Sequence, residues 1–145
     1  MRGLKARIYG VEFDVSYKAD FATISADYSS VFGDNISDGI PLPYIPPSKT
    51  RIKLTYNKMK NFTPTLQVIK ASPQSRLGEF EKPTDGYTLV DIYGSYDLNL
   101  GNGSHKIIFQ FDNIYDKVHY NHLSKIKLIM PEMGRSISVQ YRFLF

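Results

Sequence analysis

Val90-Asp91-Ile92-Tyr93-Gly94-Ser95-Tyr96-Asp97-Leu98-Asn99-Leu100, followed by Gly101-Asn102-Gly103-Ser104, decides the fold. Val90, Ile92, Gly94, Tyr96, Leu98 and Leu100 share one parity; Asp91, Tyr93, Ser95, Asp97 and Asn99 share the other. A period of two marks a pleated strand with two unlike faces. The glycines after it supply the backbone freedom of a tight hairpin turn. The next strand sets Ile107, Phe109 and Phe111 against Ile108, Gln110 and Asp112.

The same pattern spreads in both directions. Tyr9, Val11, Phe13, Val15 and Tyr17 alternate with Gly10, Glu12, Asp14, Ser16 and Lys18. After a turn at Lys18-Ala19-Asp20, Ala22, Ile24, Ala26 and Tyr28 alternate with Thr23, Ser25, Asp27 and Ser29. A third strand covers 51–56 and a fourth 65–71, the latter blurred by adjacent Val68 and Ile69. The last sets Ile137, Val139, Tyr141, Phe143 and Phe145 against Ser136, Ser138, Gln140 and Arg142. Stretches 33–49, 72–85 and 115–135 read as long loops, the first because its prolines cannot donate to a ladder. The expectation is about six to seven antiparallel strands in which short turns and long loops alternate. Membrane barrels sort their connections this way, and a tilted spanning strand needs about 9–11 residues.

Composition agrees. Of 145 residues, 42% are hydrophobic and 22% charged, with 11 Tyr, 9 Phe and no Trp. Tyrosine-rich, β-branched sequence suits half-exposed pleated surfaces. A mean hydropathy of −0.28 excludes a helical membrane protein but not a barrel, whose strands are apolar at alternate residues only. No apolar run reaches the ~20 residues of a transmembrane helix. With no cysteine there is neither a disulfide framework nor a cysteine zinc site. The net charge of +4 comes from scattered residues such as Arg51, Lys53, Lys58, Lys60 and Lys70, which argues against nucleic acid as a partner. Tyr9, Tyr17, Tyr28, Tyr56 and Phe145 stand near strand ends on the apolar parity, as the aromatic girdles of a membrane barrel do.

Five segments in order then resemble the TonB-dependent outer-membrane receptors: Ala6-Arg7-Ile8-Tyr9-Gly10-Val11-Glu12, Pro43-Tyr44-Ile45-Pro46-Pro47, Thr84-Asp85-Gly86-Tyr87-Thr88-Leu89-Val90-Asp91, Asp112-Asn113-Ile114-Tyr115-Asp116-Lys117-Val118-His119-Tyr120, and the closing run from Gly134 to Phe145. The resemblance implies an all-β, antiparallel, up-and-down transmembrane β-barrel segment, with residues 1–145 as the C-terminal strands of an incomplete barrel. It implies a Gram-negative outer-membrane location and TonB-energised uptake of a bulky nutrient: a ferric siderophore, cobalamin or a glycan. Partners would be outer-membrane lipid, the rest of the barrel and its plug, TonB, and the barrel-assembly machinery. Family barrels have about 22 strands around a plugged lumen. Neither a plug nor a signal peptide is read in this sequence, so the chain is expected to be a fragment. Two soluble or smaller alternatives remain: a lipocalin-like ligand-binding barrel with its aromatics inward, and a small complete outer-membrane barrel.

Chemistry-bearing residues are few. His119, Tyr120 and His122 are candidate ligand contacts in the third long loop; as a metal site they lack the three or four fixed ligands required. Glu12, Asp14, Asp91, Asp97 and Asp112 lie on the polar parity, where they would line a hydrated interior. No nucleophile elbow, phosphate loop or zincin motif occurs, so no enzyme and no cofactor are expected. As the resemblance implies, Gly134, Tyr141, Phe143 and the terminal Phe145 would form the barrel-assembly signal. An open sheet also leaves unpaired edge groups, each costing several kcal/mol in hydrocarbon.

Overall fold

The computed structural model describes residues 5–98, 100, 101 and 103–145. Eight strands form one antiparallel sheet: β1 (Ala6–Lys18), β2 (Ala22–Asn35), β3 (Ile40–Pro41), β4 (Lys49–Tyr56), β5 (Phe62–Ala71), β6 (Tyr87–Leu98), β7 (Ser104–Asp112) and β8 (Ser136–Leu144). The order is β1-β2-β4-β5-β6-β7-β8, with the two-residue β3 folded back on the end of β2. Connections 19–21, 57–61 and 99–103 are short; 36–48, 72–86 and 113–135 are long, so all long ones emerge at one end. The turn read at Gly101 to Ser104 includes Asn102, and the fifth strand's Asn99 adjoins it; both lie outside the described residues, as do Met1 to Leu4.

Two strands run further than their sequence indicated. β2 continues through Phe32 to Asn35, beyond the expected loop start at Gly33. Asn35 anchors the extension: its side chain accepts from the backbone of Ser37 (3.1 Å) and Asp38 (3.3 Å) and donates to the Asp38 carboxylate (2.6 Å). Gly39, at φ 69°, then turns the chain into β3. β5 begins at Phe62 and contains Pro64. Pro64 is tolerated because pairing with β4 ends at Thr55 and Thr65, leaving β6 as its only neighbour.

Residues opposite one another in an antiparallel ladder share a face. One row runs Tyr17, Ile24, Leu54, Leu66, Ile92, Phe111, Ile137 across seven strands. The next row on the opposite face is Ser16, Ser25, Lys53, Gln67, Asp91. The first face is mainly apolar, its charges confined to the long-loop end, and the second is cross-linked by polar pairs. Thr55 and Thr65 share a hydroxyl hydrogen bond of 2.9 Å, Gln67 donates to Asp91 at 2.8 Å, and Lys106 meets Asp97 at 3.1 Å. At the short-turn end of the apolar face stand Tyr17, Tyr56, Tyr96, Tyr141 and Phe143; at the long-loop end Tyr9 stacks on Phe32 at 5.5 Å.

The apolar face packs on nothing. Ala22 and Ala71 are the only buried hydrophobic residues among those described, while Val139 and Tyr17 are each 70% exposed. A lipocalin-like barrel needs these side chains converging on a dry interior, so that alternative is corrected: the sheet is open and its grease points outward. A small complete barrel is corrected likewise, because β1 and β8 are separate edges with no pairing between them.

The rows also report tilt. Tyr17 lies five residues toward the short-turn end from the middle of β1 (Glu12), while Ile137 lies three toward the long-loop end from the middle of β8 (Gln140). Eight residues of stagger across six strand spacings, at about 3.4 Å per residue and about 4.8 Å per strand, correspond to a tilt of about 43°. Closed barrels tilt their strands by about 35–45°.

Candidate functional site

The three long connections are tied to one another above the sheet. The central tie is the second of them. Its Gln74 is buried, donates to the Ile45 carbonyl at 3.0 Å, and pairs its backbone with Thr84. Arg76 reaches across to Asp34, which also faces Arg7 at 3.9 Å, and lies over the Phe32 ring. Glu81 accepts from the backbone N–H of Tyr44 at 2.8 Å and of Gly78 at 2.9 Å, joining the first loop to the second.

His122 brings in the third loop. It is 2% exposed. Its Nδ1 lies 2.9 Å from Thr84 Oγ1 and 3.2 Å from Lys127 Nζ; its Nε2 lies 3.3 Å from Glu81 Oε1 without hydrogen-bond geometry. An ammonium can only donate, so Nδ1 accepts and the ring proton sits on Nε2, toward Glu81. Burial and the Lys127 charge both lower the His122 pKa, and Glu81 opposes them only in part. For Glu81, burial alone would raise the pKa; the two backbone donors, His122 and Lys127 outweigh it, and the carboxyl ends below its ordinary value.

A carboxylate, an imidazole and a hydroxyl in sequence suggest a catalytic triad, but the geometry does not make one. Lys127 occupies the nitrogen that would take the Thr84 proton, and the imidazole itself is buried away from substrate. It is a clasp between loops. Among the described residues, no three His, Cys, Asp or Glu side chains group to hold a metal.

The three residues singled out as ligand contacts are not brought together. His122 is inside the clasp. His119 is half-buried, its ring tilted against Tyr87 with centroids 4.7 Å apart, and its Nδ1 donates to the Lys117 carbonyl at 3.2 Å. Tyr120 alone lines an open depression, of about 380 Å³, with Pro83, Thr84, Asp85, Lys127 and Leu128. Of the expected assembly signal, Tyr141 and Phe143 lie on the apolar face against His105, whose Nδ1 is 2.6 Å from the Tyr141 hydroxyl. Phe145 is fully exposed beyond β8, and Gly134 sits where a Cβ would meet the Asp116 carboxylate at 2.6 Å. Glu81, Thr84 and Lys127 were not read from sequence. Glu81 and Lys127 carry no motif, Thr84 only begins a strand-entry segment, and their contacts join loops with no periodicity.

On the polar face, Asp91 is the best-held acid. It accepts from Gln67 and from the buried backbone N–H of Asn113 at 2.8 Å. Asn113 in turn holds Lys117, with a side-chain bond of 2.9 Å in each direction.

Comparison with known proteins places this geometry. A family model described as TonB dependent receptor-like, beta-barrel matches residues 5–114. Among solved structures, one named "Copper transporter OprC" superposes with a TM-score of 0.88 at 25% identity, over 98% of this chain and 24% of that one. This chain thus spans about a quarter of that protein's length. No curated protein sequence matches.

Proposed function

Because this chain belongs to the family of TonB-dependent receptor-like β-barrels, we propose that it forms part of the wall of an outer-membrane receptor that imports a scarce or bulky nutrient with energy delivered through TonB. Transport of this kind, rather than catalysis, is the role of its family. The observation that carries the reading is the two-faced sheet: seven long strands present a broad apolar face on one side and a hydrogen-bonded polar face on the other, with long loops confined to one end. In lipid the first face meets acyl chains and the second lines a hydrated lumen.

In this reading residues 1–145 are the C-terminal strands. β1 and β8 pair with further strands of the same barrel, a plug fills the lumen, and TonB engages the plug side. The cargo is a ferric siderophore, cobalamin or a glycan, and the structural neighbour, a copper transporter by name, adds copper to that set. Tyr120 and His119 are the loop side chains offered to it; His122 serves them indirectly by holding the loop. Gly134, Tyr141, Phe143 and Phe145 present the closing strand to the assembly machinery. Deleting Phe145 should lower outer-membrane levels of the receptor several-fold while leaving cargo affinity of the inserted molecules unchanged; normal levels would remove that role.

Fractionation tests the main reading. The protein should partition with the outer membrane, and cells lacking it should lose growth on one limiting nutrient from the set, as should cells lacking TonB. A product found in the soluble fraction would overturn it.

A further inference from the structure

The charges on the apolar face are few and placed at one level. Within the strands that face carries Arg7, Asp34 and Lys70, all at the long-loop end. Arg7 and Arg76 share Asp34. Lys70 has no acid within ion-pair distance among the described residues, nor has Lys117 in the loop above it. These two lysines both line one open hollow of about 570 Å³, whose wall also includes Ser72, Tyr87 and Thr88.

The hollow is built rather than incidental. Lys117 is fixed at its backbone by both ends of the Asn113 amide, and Asn113 is fixed in turn by Asp91. The Tyr87 ring packs against the tilted His119 ring. Below Lys70 the face turns apolar at once: Val68 is the next residue on that face, opposite Ile52 and Val90. The step from ammonium to grease is about 7 Å along the strand.

We propose that this hollow binds the phosphate of a phosphorylated outer-leaflet lipid, with the acyl chains lying on Ile52, Val68 and Val90 and the headgroup phosphate between Lys70 and Lys117. The inference rests on the membrane-wall reading and adds a site to it. A phosphate takes charge-assisted bonds from both ammonium groups and neutral ones from the Ser72 and Thr88 hydroxyls. Cations directly above an apolar strip fit a molecule with both parts, and a free phosphate uses only one of them. Glu132 is the acid brought to the same corner, through its backbone bond to the His119 carbonyl at 2.9 Å. It sets an upper limit on the charge the site can gather.

The test uses the full-length protein reconstituted into phosphatidylcholine vesicles with or without bisphosphorylated lipid A. The double variant Lys70→Gln with Lys117→Gln should bind lipid A about 25-fold more weakly, at about fivefold per lysine. Dephosphorylated lipid A should not distinguish variant from parent, and Glu132→Gln should tighten binding. Equal lipid A binding by parent and double variant overturns the site. Competition by inorganic phosphate at equal strength overturns the lipid as its occupant. Insertion, scored by heat-modifiable migration, separates the two levels. Protein that inserts but ignores lipid A refutes only this site, whereas protein that never inserts refutes the wall reading and the site with it.

Discussion

His122 and Glu81 give the loop cluster a definite pH response. A histidine whose pKa is lowered on folding takes up its proton more readily in the unfolded loop. Its contribution is therefore complete above the ordinary value of 6.5 and falls as pH drops below it. Glu81, also lowered, contributes fully above its ordinary 4.5 and is lost as pH falls through its folded value. Both act in the same direction. Hydrogen-exchange protection factors at Tyr44, Gly78 and Thr84, taken relative to the intrinsic rate at each pH, should be high at pH 8 and should fall steadily under acid, with those of the strands unaffected. Protection factors there that do not change with pH would show that the clasp does not hold the loops. Asp91 makes a second prediction at this scale. Asp91→Ala strands the buried Asn113 N–H, at a cost of about 1–3 kcal/mol, which urea unfolding of the detergent-solubilised receptor should register, along with looser placement of Lys117.

At the scale of the strand, Gly94 tests how the apolar face is packed. A Cβ there would meet the Thr63 carbonyl at 2.5 Å and the Phe109 ring at 2.9 Å, a ring that itself stacks on Phe62 at 5.7 Å. Gly94→Val should displace Phe109 and cost about 1–3 kcal/mol, seen as earlier loss of the compact gel form on heating. An unchanged transition would show that Phe109 does not depend on the glycine. The strands were legible in the sequence because alternation is local: a reader of Val90 to Leu100 needs no distant contact to assign both faces. Strand ends were less legible. Asn35 closes its turn with side-chain bonds, and Pro64 is permitted only because β4 stops short, facts that reside in neighbours. The clasp was not legible at all. Glu81, Thr84 and His122 meet by tertiary packing of three loops, and the sequence offered only a pair of histidines, which the structure separates.

For the whole molecule the decisive quantity is unpaired backbone. β1 has 13 residues and β8 has 9, and each offers one side to no partner within the described chain. Roughly half the N–H and C=O groups of each edge strand point outward, and each is costly in hydrocarbon. The apolar face adds a broad surface that water does not tolerate. The isolated polypeptide should therefore sediment as large aggregates in plain buffer and disperse only in detergent. A monodisperse, cooperatively unfolding monomer without detergent would contradict the open-sheet reading.

The paired rows of unlike character carry one more implication, for how such a wall is put together. Because side chains alternate with a period of two, a slide of one residue along any ladder exchanges the two faces of that strand. In the proposed membrane wall Lys53 and Asp91 would then look into oil, and Leu54, Ile92 and Phe111 toward the polar interior. A misaligned strand is thus rejected by the membrane itself. Insertion proofreads pairing, and only molecules threaded in the correct frame persist.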